Sequence, residues 1–305
     1  MSHRQLPQDF PLILPNNPSS VNLKIEENEC MRVMIFADME GVAGIQSWEH
    51  VGGTTPFYME GRQLYTEEVC AAIRGCKKAG ATDIVAIDGH GGSYPGGKPF
   101  MSWVPDRLER GAEYVQGFAW ARYVETMQRG ECDCVLFVGA HAMAGVTEGV
   151  LCHTVSSETW NSAAINGTLV GESGIVAAVA GSFGVPAIFV SGDTATCKEV
   201  TDLLGPNVVT APVKQGLGRF AARNMSPGDA CDLIEKQAEV AVKNSAHWPK
   251  PLTFTAPVTF RVELATSDRA ASFQGRSGVE IVGPRTVQAT GPDFWTAWDA
   301  FWYRS

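Results

Sequence analysis

Asp38, Glu40, His90, His141 and Glu172 are the side chains of this 305-residue sequence whose types and positions could do chemistry together. Each stands beside the end of an expected strand or helix. Imidazole and carboxylate donors without a thiolate have the chemistry of a metal site, and they suit Zn²⁺, with Mn²⁺ or Co²⁺ as possible substitutes. Five ligands exceed the three that a single catalytic zinc usually takes, so two ions sharing one carboxylate fit the count better. Such ions lie roughly 3.5–4 Å apart and activate a bridging water. Of the other histidines, His3, His50 and His247 read as surface residues in an arm, a loop and a linker. His153 differs from these, because it lies inside an apolar run.

The elements that must position these residues are legible as short apolar segments. Val33 to Ala37 is a run hydrophobic on both faces, as in a buried parallel strand, and it leads into Asp38-Met39-Glu40-Gly41. Side chains alternate along a strand, so Asp38 and Glu40 leave it on one side. A helical pattern over 57–79, stopped by Gly80, leads to a second buried strand, Asp83 to Asp88, which ends in Gly89-His90. The crossover between two such strands is right-handed, which puts both strand ends on one edge. Cys134 to Ala140 is a third strand, ending at His141. Val150 to Val155 reads as a further strand carrying His153, and Asn166-Gly167 as a tight hairpin. Gly171-Glu172 opens an Ala/Val-rich helix. Strands at 186–191 and 208–213 follow, and Ser226-Pro227 starts a helix through about Asn244.

The fold class expected from this order is α/β, a mainly parallel sheet with helices on both faces, plus a smaller C-terminal α+β lobe. The expected organisation is an N-terminal arm over 1–30, a catalytic α/β domain over 31–245, and a β-rich lobe with a terminal helix over 246–305. Carboxyl ends of strands in open α/β sheets are where ligands usually sit.

Composition narrows the function classes. Hydrophobic residues at 45% and charged residues at 19% describe an ordinary globular protein. The formal net charge of −9 argues against nucleic acid as a partner, and no run approaches a membrane span. The eight cysteines are scattered without a C-x-x-C pair, as expected of buried free thiols in a reducing cytoplasm. Cys132 and Cys134 alternate along a strand and read as core. Residues 1–30 lack the apolar stretch of a secretory signal, so the expected location is cytoplasmic. Neither a Walker A lysine motif nor a G-x-S-x-G elbow is present.

Taken in order, Asp38-Met39-Glu40-Gly41, Asp88-Gly89-His90, His141-Ala142, His153, Gly171-Glu172 and Val213-Lys214-Gln215 resemble the zinc-dependent D-aminopeptidase family of self-compartmentalising peptidases. The resemblance is strong over 31–245 and looser beyond. It implies a binuclear zinc site in which Asp38 bridges, Glu40 and His90 complete one ion, and His141 and Glu172 complete the other. It implies that His153 is a catalytic histidine outside the ligand set. It also implies a ring-stacked homo-oligomer, typically a decamer, acting on a small peptide or amide. Phe36 and Gly89 stand where the family commonly has serine, and the loops after His90 and His141 differ; no ligand is lost. The expected activity is a metal-dependent aminopeptidase or amidase. A hydrolase of a non-peptide amide on the same metals, and a non-catalytic metal-binding assembly protein, are the alternatives.

Overall fold

A computed structural model describes residues 31–92, 99–117 and 124–302. The expected arm over 1–30 lies outside the described residues. Twelve strands are seen among them: β1 (Arg32–Ala37), β2 (Asp83–Asp88), β3 (Glu113–Val115), β4 (Cys134–Ala140), β5 (Trp160–Ile165), β6 (Thr168–Leu169), β7 (Ala187–Asp193), β8 (Val209–Gly218), β9 (Ala221–Asn224), β10 (Val258–Leu264), β11 (Val279–Ile281) and β12 (Thr286–Gly291). The helices are α1 (Trp48–Val51), α2 (Pro56–Lys78), α3 (Glu125–Gln128), α4 (Glu172–Ser182), α5 (Thr194–Leu204), α6 (Pro227–Lys243), α7 (Ser267–Ala271) and α8 (Phe294–Trp302).

The main sheet has the order β3-β2-β1-β4-β7-β8-β9 and is parallel except for β9. Alternation along β1 divides the core. Val33, Ile35 and Ala37 pack toward α2 and α6, whereas Met34 and Phe36 join α4, α8 and the second sheet on the opposite face. A parallel sheet covered on both faces in this way explains why its strands read as continuous apolar runs. The chain runs from β1 outward to β2 and β3, then returns to place β4 on the other side of β1. That reversal leaves a crevice at the carboxyl ends of β1 and β4, the switch point of an open sheet.

The second sheet is antiparallel, in the order β11-β12-β10-β5-β6. The last sixty residues therefore do not build it alone, since β10 pairs with β12 on one side and with β5 on the other. The β5–β6 hairpin turns at Asn166 and Gly167, both with positive φ of 48° and 85°, as the dipeptide predicts. Asn166 also locks the hairpin to β10, accepting from Thr259 N at 2.7 Å. No described helix is long and apolar enough to cross a membrane.

Two local expectations are corrected. Residues 150–155 form no strand; Leu151 and Val155 take positive φ values of 52° and 60°, which breaks the alternation. His50 is not a surface residue. It is buried at the end of α1, with its Nδ1 2.9 Å from Ser47 Oγ.

Candidate metal centre

The strand order β2-β1-β4 sets Asp38 between His90 and His141. Two backbone bonds draw the ends of β1 and β4 together, Asp38 N to Val138 O and Gly41 N to Gly139 O, each 2.8 Å. The approach leaves no room for side chains. A Cβ on Gly41 would lie 1.9 Å from Ala140 O, and one on Gly139, which has φ of 69°, would lie 2.1 Å from Asp38 O. Glycine is required at both places.

The carboxylate of Asp38 faces two ways. Its Oδ1 is 3.1 Å from His90 Nδ1, and its Oδ2 is 3.3 Å from His141 Nε2. Each histidine also meets a second carboxylate, His90 Nδ1 with Glu40 Oε2 at 3.2 Å and His141 Nε2 with Glu172 Oε1 at 3.2 Å. His153 Nε2 approaches the same Glu172 oxygen at 3.6 Å, and its ring stacks on His141 with centroids 4.0 Å apart. Two donor groups result, Asp38-Glu40-His90 and His141-His153-Glu172, with Asp38 touching both. All five residues expected to be ligands converge, and His153 joins them.

The outer nitrogens of the three histidines are fixed by the backbone. His90 Nε2 pairs with Val51 O at 2.7 Å, His141 Nδ1 with Ala142 O at 3.0 Å and His153 Nδ1 with Leu151 O at 2.9 Å. Metal-binding histidines are held in this manner, with one nitrogen donating to a carbonyl and the other aimed at the ion. The inner atoms complete the fit. Glu40 Oε2 and His141 Nε2 are buried, and neither makes a hydrogen bond of good geometry. Three carboxylates and three imidazole nitrogens meeting in a buried crevice could hold a cation, and the donor set suits zinc.

Electrostatics agree. Burial pushes the Asp38 carboxyl up, but hydrogen bonds and charge from His141 and His90 outweigh it and hold the group well below the usual range. Burial likewise opposes charge on His90 and His141, yet the surrounding carboxylates hold both imidazoles protonated well above theirs.

Three supporting residues were not assigned a role from sequence. Asp88 organises the His90 turn, accepting from Ser102 N at 2.5 Å, His90 N at 3.2 Å and Tyr65 Oη at 3.2 Å. Lys214, on β8, is buried and its Nζ donates to the carbonyls of Glu40, Val42 and Ile45 at 2.6, 2.8 and 2.5 Å. It clamps the loop that carries Glu40. Only its place in Val213-Lys214-Gln215 signalled it, because its partners lie about 170 residues away. We expect Lys214→Met to leave three buried carbonyls without donors and to destabilise the fold by roughly 3 kcal/mol or more, read by urea unfolding.

Glu199, on α5, staples the two segments that carry His141 and Glu172. Its Oε2 accepts from Met143 N at 2.8 Å, and a hydrogen bond from the Gly171 N–H also reaches the carboxylate. Burial pushes this carboxyl from the usual 4.5 up to about 7. The native state thus holds the proton more tightly than the unfolded chain does. That stabilisation is complete below about 4.5 and lost as pH rises through about 7. Glu199→Gln removes the titration, so the stability difference between wild type and variant should change by roughly 2–3 kcal/mol from about pH 5 to about pH 8. Urea unfolding at the two pH values checks it.

A cleft of about 690 Å³ opens over the donors, walled by Trp48, Phe100 and Trp302 and floored by His90, His153 and Glu172. The departures noted at Phe36 and Gly89 are in contact there. A Cβ on Gly89 would sit 2.6 Å from Phe36 Cζ, so the ring takes the space of any side chain at 89.

The chain is similar to known proteins in sequence and in fold. The D-aminopeptidase family pattern matches residues 31–303. A D-aminopeptidase of Bacillus subtilis (strain 168) is 31% identical over 275 residues, covering 88% of this chain and 95% of that protein. The solved structure of the Zn-dependent D-aminopeptidase DppA from Bacillus subtilis, a self-compartmentalizing protease, is similar with a TM-score of 0.79. It is 29% identical, over 89% of this chain and 95% of that one.

Proposed function

The chain belongs to the D-aminopeptidase family, and on that premise we propose that it is a zinc-dependent aminopeptidase cleaving an amide bond of a small peptide or amino-acid derivative. Asp38, Glu40, His90, His141 and Glu172 are the proposed ligands of two ions, with Asp38 shared between them. One observation carries the reading: the two oxygens of Asp38 face different histidines, and each histidine faces a further carboxylate. Bound zinc supplies Lewis acidity, polarising an amide carbonyl and acidifying water.

The remaining work falls to the chain. His153 is the proposed catalytic residue. With Nδ1 tied to Leu151 O, its Nε2 faces the cleft, where it can donate a proton to the leaving nitrogen or stabilise the oxyanion. A volume of about 690 Å³ between aromatic walls suits a peptide of a few residues. A panel of D-dipeptides, L-dipeptides, amino-acid amides and aryl amides tests the proposal. Zinc-dependent release of an N-terminal residue supports it, and bound zinc with no turnover on any amide sinks it.

Self-association belongs to the same reading. The similar solved protein is described as self-compartmentalizing, and Leu217 and Phe220 are exposed at the β8–β9 turn. A homo-oligomer, proposed as a decamer, is checked by native mass spectrometry. A cytoplasmic location accords with buried thiols such as Cys76 and Cys132, which burial pushes up to about 12.

A further inference from the structure

Among the described residues lining the cleft, Arg219 is the only lysine or arginine. It sits in the turn between β8 and β9, and its side chain is exposed to the cleft rather than buried in the core. Two aromatic faces hold its guanidinium, Trp48 at 5.4 Å and Phe220 at 5.6 Å from Cζ to ring centroid. Such stacking orients the planar group while leaving its in-plane N–H donors directed outward.

The backbone fixes Arg219 relative to the catalytic machinery. Leu151 N donates to Arg219 O at 2.8 Å, and the carbonyl of that same Leu151 pairs with His153 Nδ1 at 2.9 Å. The aromatic path is equally short, because Trp48, on which Arg219 stacks, meets the His153 ring edge-on at 5.7 Å. Arg219 and His153 are thus held by one residue of backbone and by one shared indole.

We infer that Arg219 is a specificity-determining residue that binds the free C-terminal carboxylate of a short peptide whose scissile bond lies at His153 and the metal ligands. A guanidinium presents paired N–H donors matched to a carboxylate, and its charge is opposite in sign to that of Asp38, Glu40, Glu158 and Glu172, which line the same cleft. The peptide is thereby oriented with its C-terminus toward the β8–β9 turn and its N-terminus toward the acidic end. A free terminal carboxylate also sets length, since a longer peptide carries that group past the guanidinium. The inference rests on the aminopeptidase reading and deepens it.

The test compares D-alanyl-D-alanine with its C-terminal amide on zinc-loaded enzyme, in wild type, Arg219→Met and Arg219→Lys. Wild type should prefer the free acid about 10- to 100-fold in kcat/KM, the range of a charge-assisted hydrogen bond. Arg219→Met should abolish that preference through KM for the acid, with little change for the amide, and Arg219→Lys should restore part of it. A readout independent of turnover is calorimetric binding of the uncleavable analogue in which the peptide bond is reduced to an amine. Its acid should weaken in Arg219→Met by the same factor, and its C-terminal amide should not. Equal effects of Arg219→Met on acid and amide, with or without a change in oligomeric state, overturn the inference alone. Hydrolysis of neither compound, nor of any other peptide, by wild type overturns the aminopeptidase reading and this inference with it.

Discussion

Asp38→Ala is expected to lose zinc and turnover together, with activity falling by roughly 10⁴-fold or more, because Lewis-acid stabilisation worth several kcal/mol disappears. The reason lies in the place of Asp38 between β2 and β4. Its two oxygens are 3.1 Å from His90 and 3.3 Å from His141, so one substitution removes a donor from both halves of the site. Glu40→Ala and Glu172→Ala each remove a donor from one half only, and should retain part of the metal. Elemental analysis of the three purified variants reads the difference directly. Equal zinc in wild type and Asp38→Ala would end the shared-carboxylate reading. The metal-free chain gives a second check. Its carboxylates hold His90 and His141 protonated well above the usual imidazole range, so zinc must displace those protons on binding. Zinc affinity should therefore rise with pH, and an indicator dye should register proton release when chelated protein is reloaded.

The convergence of the five residues was legible in sequence because parallel strands buried on both faces announce themselves. Val33 to Ala37 and Cys134 to Ala140 are unbroken apolar runs, and the polar residue that ends each run stands at the carboxyl edge of the sheet. The run from Val150 to Val155 looked the same and is not a strand. Its backbone is decided by tertiary partners: Leu151 N bonds Arg219 O, and Val155 N bonds Glu172 Oε1 at 2.7 Å, which holds two side chains in left-handed conformations that local propensity disfavours. The same long range hid the supports. Lys214 and Glu199 act on backbone groups far away in sequence, so no local pattern marks them. Likewise, nothing within 160–169 says that its hairpin completes a sheet with residues beyond 257; that follows from apolar faces closing on one core.

His153→Ala is expected to retain zinc at the wild-type ratio while kcat falls about 10²- to 10⁴-fold, the range of a lost general acid or oxyanion donor. Geometry alone leaves His153 close to the ligands, since its Nε2 lies 3.6 Å from Glu172 Oε1 and its ring stacks on His141. Two features set it apart from them. It lies farther from its carboxylate than His90 or His141, and it makes no such contact with Asp38. Its side chain is also more exposed than theirs, 12% against 5% for His90 and 1% for His141. A residue in that position meets the substrate while leaving the ion to others. KM should change little, because His153 acts on the atoms that gain charge in the transition state and not on the peptide's ends. A variant that loses zinc in step with activity would instead make His153 a ligand, and would move the search for the proton donor to another group lining the cleft.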